Sequence, residues 1–195
     1  MSQARLGIMG GTFDPIHIGH LVAANEVAAA LDLSQVIFVP TGEPWQKQKV
    51  SPAHHRFAMT KLAIAGNSKF SISSVDIDRD GPTYAVDTVT DIQNLYPDAK
   101  LHFITGADSV ADIFSWSRPE RLLQLAKFIG VTRPGHNLAV PRGAEGSVSL
   151  LEIPALAISS TDIRSRVREG RPIRYLLPDS VVEYIETNRL YQEDV

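Results

Sequence analysis

Cysteine is absent from this sequence of 195 residues, which excludes disulfides, thiolate metal sites and a thiol nucleophile, and suits the reducing cytoplasm. Long apolar runs are missing too. The richest one, residues 21–31, is interrupted by Asn25 and Glu26 and cannot span a bilayer. The opening MSQARLGIMGGTF passes straight into a strand pattern, so no secretory leader is expected. Basic charge is scarce: 19 Lys and Arg stand against 22 Asp and Glu, a net charge of −3, and the pI is ≈ 6.1. No global field draws the chain to a nucleic-acid backbone, so any anion it binds must be held locally. The expectation is a soluble, cytoplasmic protein with neither a nucleic-acid nor a membrane partner. Its oligomeric state is not legible in the sequence, and a homo-oligomer stays open.

Two motifs are also lacking. Neither the dinucleotide fingerprint GxGxxG nor the phosphate loop GxxxxGK[ST] occurs, which weakens hydride transfer and ordinary kinase chemistry as readings.

What is present is an alternation of β-rich runs with helical patterns, in a chain 44% apolar and 21% charged. That pattern predicts an α/β fold, a Rossmann-like open parallel sheet with helices on both faces, in one domain spanning 1–195 with a C-terminal helical segment about 160–190. Strands are expected over 5–9, 36–40, 70–75, 101–105, 128–132 and 148–153. Helices are expected over 18–31, 52–65, 84–95, 109–114, 119–125, 160–168 and 179–187. Ser51 stands ready to cap the second helix ahead of Pro52, and Asp179 the last, with Val182 and Ile185 facing the core. The stretch 134–147, with three glycines and two prolines, reads as a long surface loop and the natural place for disorder.

The main chemical signal follows the first strand, in GGTFDPIHIGH, Gly10 to His20. A glycine-rich turn leading into a helix presents backbone N–H groups and the positive end of the helix dipole, which together favour a phosphate. In open parallel sheets, ligands sit outside the carboxyl ends of the strands, where this turn falls. His17 and His20 lie three apart at the helix start, on one side. Two convergent N–H donors suit a phosphoryl group gaining charge as it transfers. Gly19 leaves room between them. An isolated histidine would be read as a cap or core residue; the pair inside this turn favours the functional reading. Zinc is disfavoured, because helical zinc pairs stand four apart with a glutamate and no third ligand is evident.

A second candidate clamp is ISSTDIR, Ile158 to Arg164, at the start of a helix. Ser159, Ser160 and Thr161 can cap that helix and donate to phosphate, and Arg164 lies one turn on, on the side of Ser160. Alone, these residues would be a helix cap and a surface charge. With a matching cradle at the other end of the chain, a clamp for the outer phosphates is the better account.

The turn Thr12, Phe13, Asp14, Pro15, His17, Gly19, His20 resembles the (T/G)xFDPxHxGH motif of the nucleotidyltransferase superfamily, whose histidines bind the nucleoside triphosphate and stabilise the transition state. The string HIGH also resembles class I aminoacyl-tRNA synthetases, for which this chain is too short. ISSTDIR is similar to the ISSTxIR motif of bacterial nicotinate mononucleotide adenylyltransferases. GPTYAVDT (81–88), FITGADS (103–109), Trp116 and RPG (133–135) follow in that family's order, so the resemblance covers nearly the whole chain.

The resemblance implies an enzyme of NAD biosynthesis that joins the AMP group of ATP to nicotinate mononucleotide, releasing pyrophosphate, with Mg²⁺ carried on the ATP phosphates and no protein metal site. It implies catalytic roles for His17, His20 and Arg164, and an ATP site at Gly10, Gly11, Thr12, Phe13, His17, His20, Gly106, Asp108, Ser159, Ser160, Thr161 and Arg164. Thr12, Trp45, Lys47, Thr83, Tyr84, Trp116 and Arg133 fall to the mononucleotide side. Gln46 stands before Lys47 where that family commonly has a histidine. Another adenylyl- or cytidylyltransferase, such as one acting on phosphopantetheine, is the runner-up, and GPTYAVDT and ISSTDIR speak against it. A catalytically idle nucleotide sensor is the alternative from another class.

One further pattern carries aspartates at EF-hand-like spacing: Asp76, Asp78, Asp80, Gly81 and Asp87. A calcium loop needs a preceding helix, and 70–75 alternates like a strand, so solvated turn carboxylates are expected. His54, His55, His102 and His136 form no constellation.

Overall fold

A computed structural model describes residues 3–44, 49–135 and 139–192. Its sheet has six strands, all parallel, in the order β3-β2-β1-β4-β5-β6: β1 (Arg5–Gly11), β2 (Gln35–Pro40), β3 (Phe70–Ile72), β4 (Lys100–Gly106), β5 (Lys127–Thr132) and β6 (Val148–Glu152). The helices are α1 (Ile18–Ala30), α2 (Ala53–Ile64), α3 (Ala85–Leu95), α4 (Ala107–Ala111), α5 (Pro119–Leu125), α6 (Ser160–Arg168) and α7 (Asp179–Thr187), with a 3₁₀ turn at Ile113–Ser115. This is the Rossmann-like α/β fold expected.

Alternation along the strands builds two cores, because successive side chains leave a strand on opposite faces. Val36 and Phe38 of β2 face the core packed by α1, α2, α6 and α7, which holds Ala24, Val27, Met59, Ile163, Val181 and Ile185. Ile37 and Val39 face the other, packed by α3, α4 and α5 with Val86, Val89, Val110 and Leu122. Strand order reverses direction between β1 and β4, and a crevice opens outside their carboxyl ends at such a switch point.

Several local expectations are corrected. Strand β3 stops at Ile72, because the next residues fold into a turn in which Ile77 and Asp78 donate to the Ser74 carbonyl and carry Asp76 inward. The helix expected over 109–114 divides into α4 and the 3₁₀ turn. Ser51 does not cap α2. Pro52 holds the cap position, while the Ser51 N–H and C=O are taken by Asp14 and Arg56. Likewise Pro178 precedes α7 and Asp179 lies inside it, paired with Arg174 at 3.5 Å. Val182 and Ile185 face the core as expected, with Val181 fully buried beside them. In the stretch expected as a surface loop, 139–147 is anchored by buried Ala144; residues 136–138 lie outside the described residues.

Candidate active site

Strands β1 and β2 run in register to Gly11↔Pro40, so the first turn leaves the sheet beside the exit of β2. Within that turn Phe13 holds a left-handed φ of 50°, a region that side-chain-bearing residues seldom occupy and that recurs at functional turns. The buried Phe13 ring meets the His20 ring edge-on at a centroid distance of 5.1 Å. His17 precedes α1 in extended backbone (φ −144°), and its imidazole stacks on that of His20 with centroids 3.7 Å apart. The His17 backbone N–H donates to His20 Nδ1 at 3.2 Å. Nδ1 is therefore the acceptor nitrogen, and in the neutral ring the proton sits on Nε2. Burial lowers the pKa of His17 to about 4, so that ring is neutral at pH 7, and its buried Nδ1 has no hydrogen-bond partner among the described residues. A Cβ at Gly19 would lie 3.0 Å from this Nδ1, so glycine there keeps the imidazole in place.

The second clamp comes to the same turn across nearly the whole chain. Ser159 caps α6, its hydroxyl accepting from the Asp162 N–H at 3.1 Å. The Ser160 hydroxyl donates to the Pro15 carbonyl at 2.9 Å, which leaves its backbone N–H at the helix start as the group able to meet an anion. Arg164 Nη1 donates to the Asp14 carbonyl at 2.7 Å, and Nη2 reaches Thr161 Oγ1 at 3.4 Å. Two of its five N–H groups are thus engaged. Asp14 is the hub: its carboxylate also accepts from Tyr191 Oη at 2.7 Å and the Ser51 N–H at 3.1 Å.

Beside the first turn opens a cleft of about 490 Å³. Of the expected residues, Gly10, Gly11, Thr12, Thr83, Tyr84 and Trp116 line it, whereas His17, His20 and Arg164 are not among its lining residues. Trp116 stands edge-on to Phe103 and Phe128, at 6.1 and 6.0 Å, so it is both a core aromatic and a wall of the cleft. Thr83 Oγ1 is buried with no partner among the described residues. Gly106 precedes α4 and Asp108 lies in its first turn, exposed. Arg133 is exposed just past β5 and does not line the cleft. Trp45 and Lys47 lie outside the described residues.

The same cleft exposes what the sequence reading missed. Asp76, expected as a solvated carboxylate, is 2% exposed on the cleft wall. Its turn folds inward, and its oxygens are taken up by the Thr88 hydroxyl at 2.9 Å and by Arg79 at 3.1 Å. Asp78 and Asp80 are exposed as expected, and Asp87 pairs with Arg118. Gly42 is required by close approach, since a Cβ there would sit 2.1 Å from the Asp76 carbonyl oxygen. Thr41, Thr88, Thr105 and Asp112 line the cleft as well; Thr88 and Thr105 fall within GPTYAVDT and FITGADS without an expected role, and Thr41 and Asp112 lie in no motif.

Residues 8–166 match the cytidylyltransferase-like family, and the chain belongs to it. Among its relatives, a protein of Leifsonia xyli subsp. xyli named "Probable nicotinate-nucleotide adenylyltransferase" is 57% identical, over 98% of this chain and 96% of its own. One of the same name from Saccharopolyspora erythraea is 60% identical, over 97% and 91%. Among solved structures, Plasmodium falciparum nicotinic acid mononucleotide adenylyltransferase complexed with NaAD superposes with a TM-score of 0.80 over 96% of this chain and 97% of that one. At 23% identity that likeness carries the fold.

Proposed function

We propose that the chain is a nicotinate-nucleotide adenylyltransferase, acting in one nucleotidyltransferase domain over 1–195. The observation that carries this reading is the 2.7 Å bond from Arg164 to the Asp14 carbonyl, which brings together two candidate anion-binding segments 150 residues apart. The names borne by its full-length relatives support the same activity.

ATP lies with its α-phosphate at His17 and His20 and its outer phosphates at the start of α6 and Arg164. The mononucleotide occupies the cleft, its ring beside Trp116. A phosphate oxygen of the mononucleotide attacks the α-phosphorus in line; that P–O bond forms as the bond to the β-phosphate oxygen breaks, and pyrophosphate departs with the electron pair. The attacking oxygen is already anionic, so no side chain need act as nucleophile or base. Catalysis comes from aligning two like-charged reactants and offsetting charge in the transition state.

Nicotinate rather than nicotinamide is favoured by the pocket's donors. The unpartnered Thr83 hydroxyl and the N-terminal end of α3, with Tyr84 and Ala85 on the cleft wall, suit an anionic ring substituent. The Asp76 charge on the same wall is already offset by Arg79 and Thr88. Among the described residues no three potential ligands of the His or carboxylate type lie together. Magnesium would be held through phosphate oxygens and water, and would supply neutralisation of the triphosphate. No helix among the described residues is long and apolar enough to cross a membrane.

The test is pyrophosphate release from ATP with the two mononucleotides supplied side by side. Release with nicotinate mononucleotide is expected to exceed that with the amide. ATP binding without release under either acceptor would instead make the chain a nucleotide sensor.

A further inference from the structure

Arg56 belongs to none of the motifs, yet it is the largest of the fully buried side chains, at 1% exposed. Burying a guanidinium is costly unless its N–H groups find acceptors. Four of the five do. Nε donates to the Ser51 carbonyl at 2.8 Å, Nη1 to the carbonyls of Thr12 at 2.9 Å and Thr41 at 2.6 Å, and Nη2 to that of Gly42 at 2.8 Å. An apolar side chain could fill the space, so what distinguishes arginine is where these acceptors lie. They come from three segments that meet at the active site: the first turn, the exit of β2, and the lead into α2. Thr12 and Thr41 themselves line the cleft. Ser51 passes the constraint on, since its N–H binds the Asp14 carboxylate whose residue Arg164 holds by the main chain.

We propose that Arg56 is a positioning residue for adenylyl transfer, fixing the first turn against the β2 exit so that the two substrates meet in line. This rests on the activity proposed above. Reacting atoms must approach within roughly 3–3.5 Å, and a misplacement of about 1 Å can cost ~100-fold in rate. Each substrate keeps its own contacts when the two walls shift relative to one another, so alignment suffers more than affinity. Lysine keeps the charge but gathers three donors on a single atom, and cannot reach four carbonyls spread around a planar fork.

Arg56→Lys and Arg56→Gln, assayed by pyrophosphate release with folding checked by circular dichroism and thermal melting, test this. The expected result is a folded Arg56→Lys protein with kcat down ~10- to 100-fold, while the KM values for ATP and mononucleotide stay within about threefold of wild type. Arg56→Gln should lose at least as much. Wild-type kcat in either folded variant overturns the proposal, as does a loss confined to KM. Unfolding of both variants also overturns it, by leaving Arg56 a role in stability alone. A wild-type protein that releases no pyrophosphate refutes the activity itself and the positioning role with it, an outcome distinct from active variants in an active background.

Discussion

Replacing Asp76 with asparagine removes a carboxyl that burial pushes up from 3.8 to about 6, although Thr88 and Arg79 pull the other way. The folded chain thus holds this proton more tightly than the unfolded one. The group's contribution to stability is fully present below pH 3.8 and is lost as pH rises through about 6. At about 1.4 kcal/mol for each pH unit between the two values, the loss is about 3 kcal/mol. His17 does the reverse. Burial holds it down to about 4 from 6.5, so its contribution is present above pH 6.5 and is lost as pH falls through about 4. That loss is also about 3 kcal/mol. In the wild type the two largely offset one another across this range. Urea unfolding followed by circular dichroism from pH 4 to 7 gives a stability curve for each variant, and subtracting the wild-type curve cancels titrations they share. Relative to wild type, Asp76→Asn should gain about 2 kcal/mol as pH rises from 4 to 6.5, and His17→Asn should lose about as much or slightly more. Arg79 keeps its charge throughout and adds no slope. Flat difference curves, or two of the same sign, would refute the burial argument for both residues.

Three further outcomes are expected. His20→Ala should lower turnover at least ~100-fold with the fold intact, the scale of removing a preorganised donor to transition-state charge; near-wild-type turnover would reject the role. Trp116→Ala should weaken the mononucleotide more than ATP in calorimetric titrations, because it lines the cleft beside Thr83 and Tyr84; equal losses would count against a ring contact. Gly42→Ala should destabilise by ~1–3 kcal/mol or more in urea unfolding, since its Cβ meets the Asp76 carbonyl oxygen at 2.1 Å and one segment must move; an unchanged midpoint would contradict that approach.

What was legible in the sequence is what local pattern encodes. Strand β2 reads QVIFVP because both of its faces are buried, and its alternate residues divide between two cores. Motif residues could be found because a phosphate site needs backbone N–H groups and small residues close together in the chain. Capping was misread at Ser51, because the tertiary partners Asp14 and Arg56 claimed a backbone that local rules assigned to the helix start. Asp76 and Arg56 were illegible for the same reason. A charged residue in a turn or on a helix reads as solvated unless its partners are known, and those partners are Thr88, twelve residues away, and main-chain carbonyls up to 44 away. Backbone acceptors leave no mark in a sequence.

Charge is unevenly distributed around the proposed triphosphate, and the chemistry gives a reason. Burial keeps the His17 ring neutral, so no charge repulsion opposes its stacking at 3.7 Å on the His20 ring, whose Nδ1 accepts from the His17 N–H. The α-phosphate then meets polar groups of low charge and stays open to an anionic nucleophile. In the proposed binding mode the outer phosphates would instead meet the Arg164 guanidinium on α6, where the departing pyrophosphate would collect the electron pair. A cation moved from residue 164 to the histidine pair would attract ATP about as well, yet it would leave the charge that collects on the departing pyrophosphate without its counter-charge.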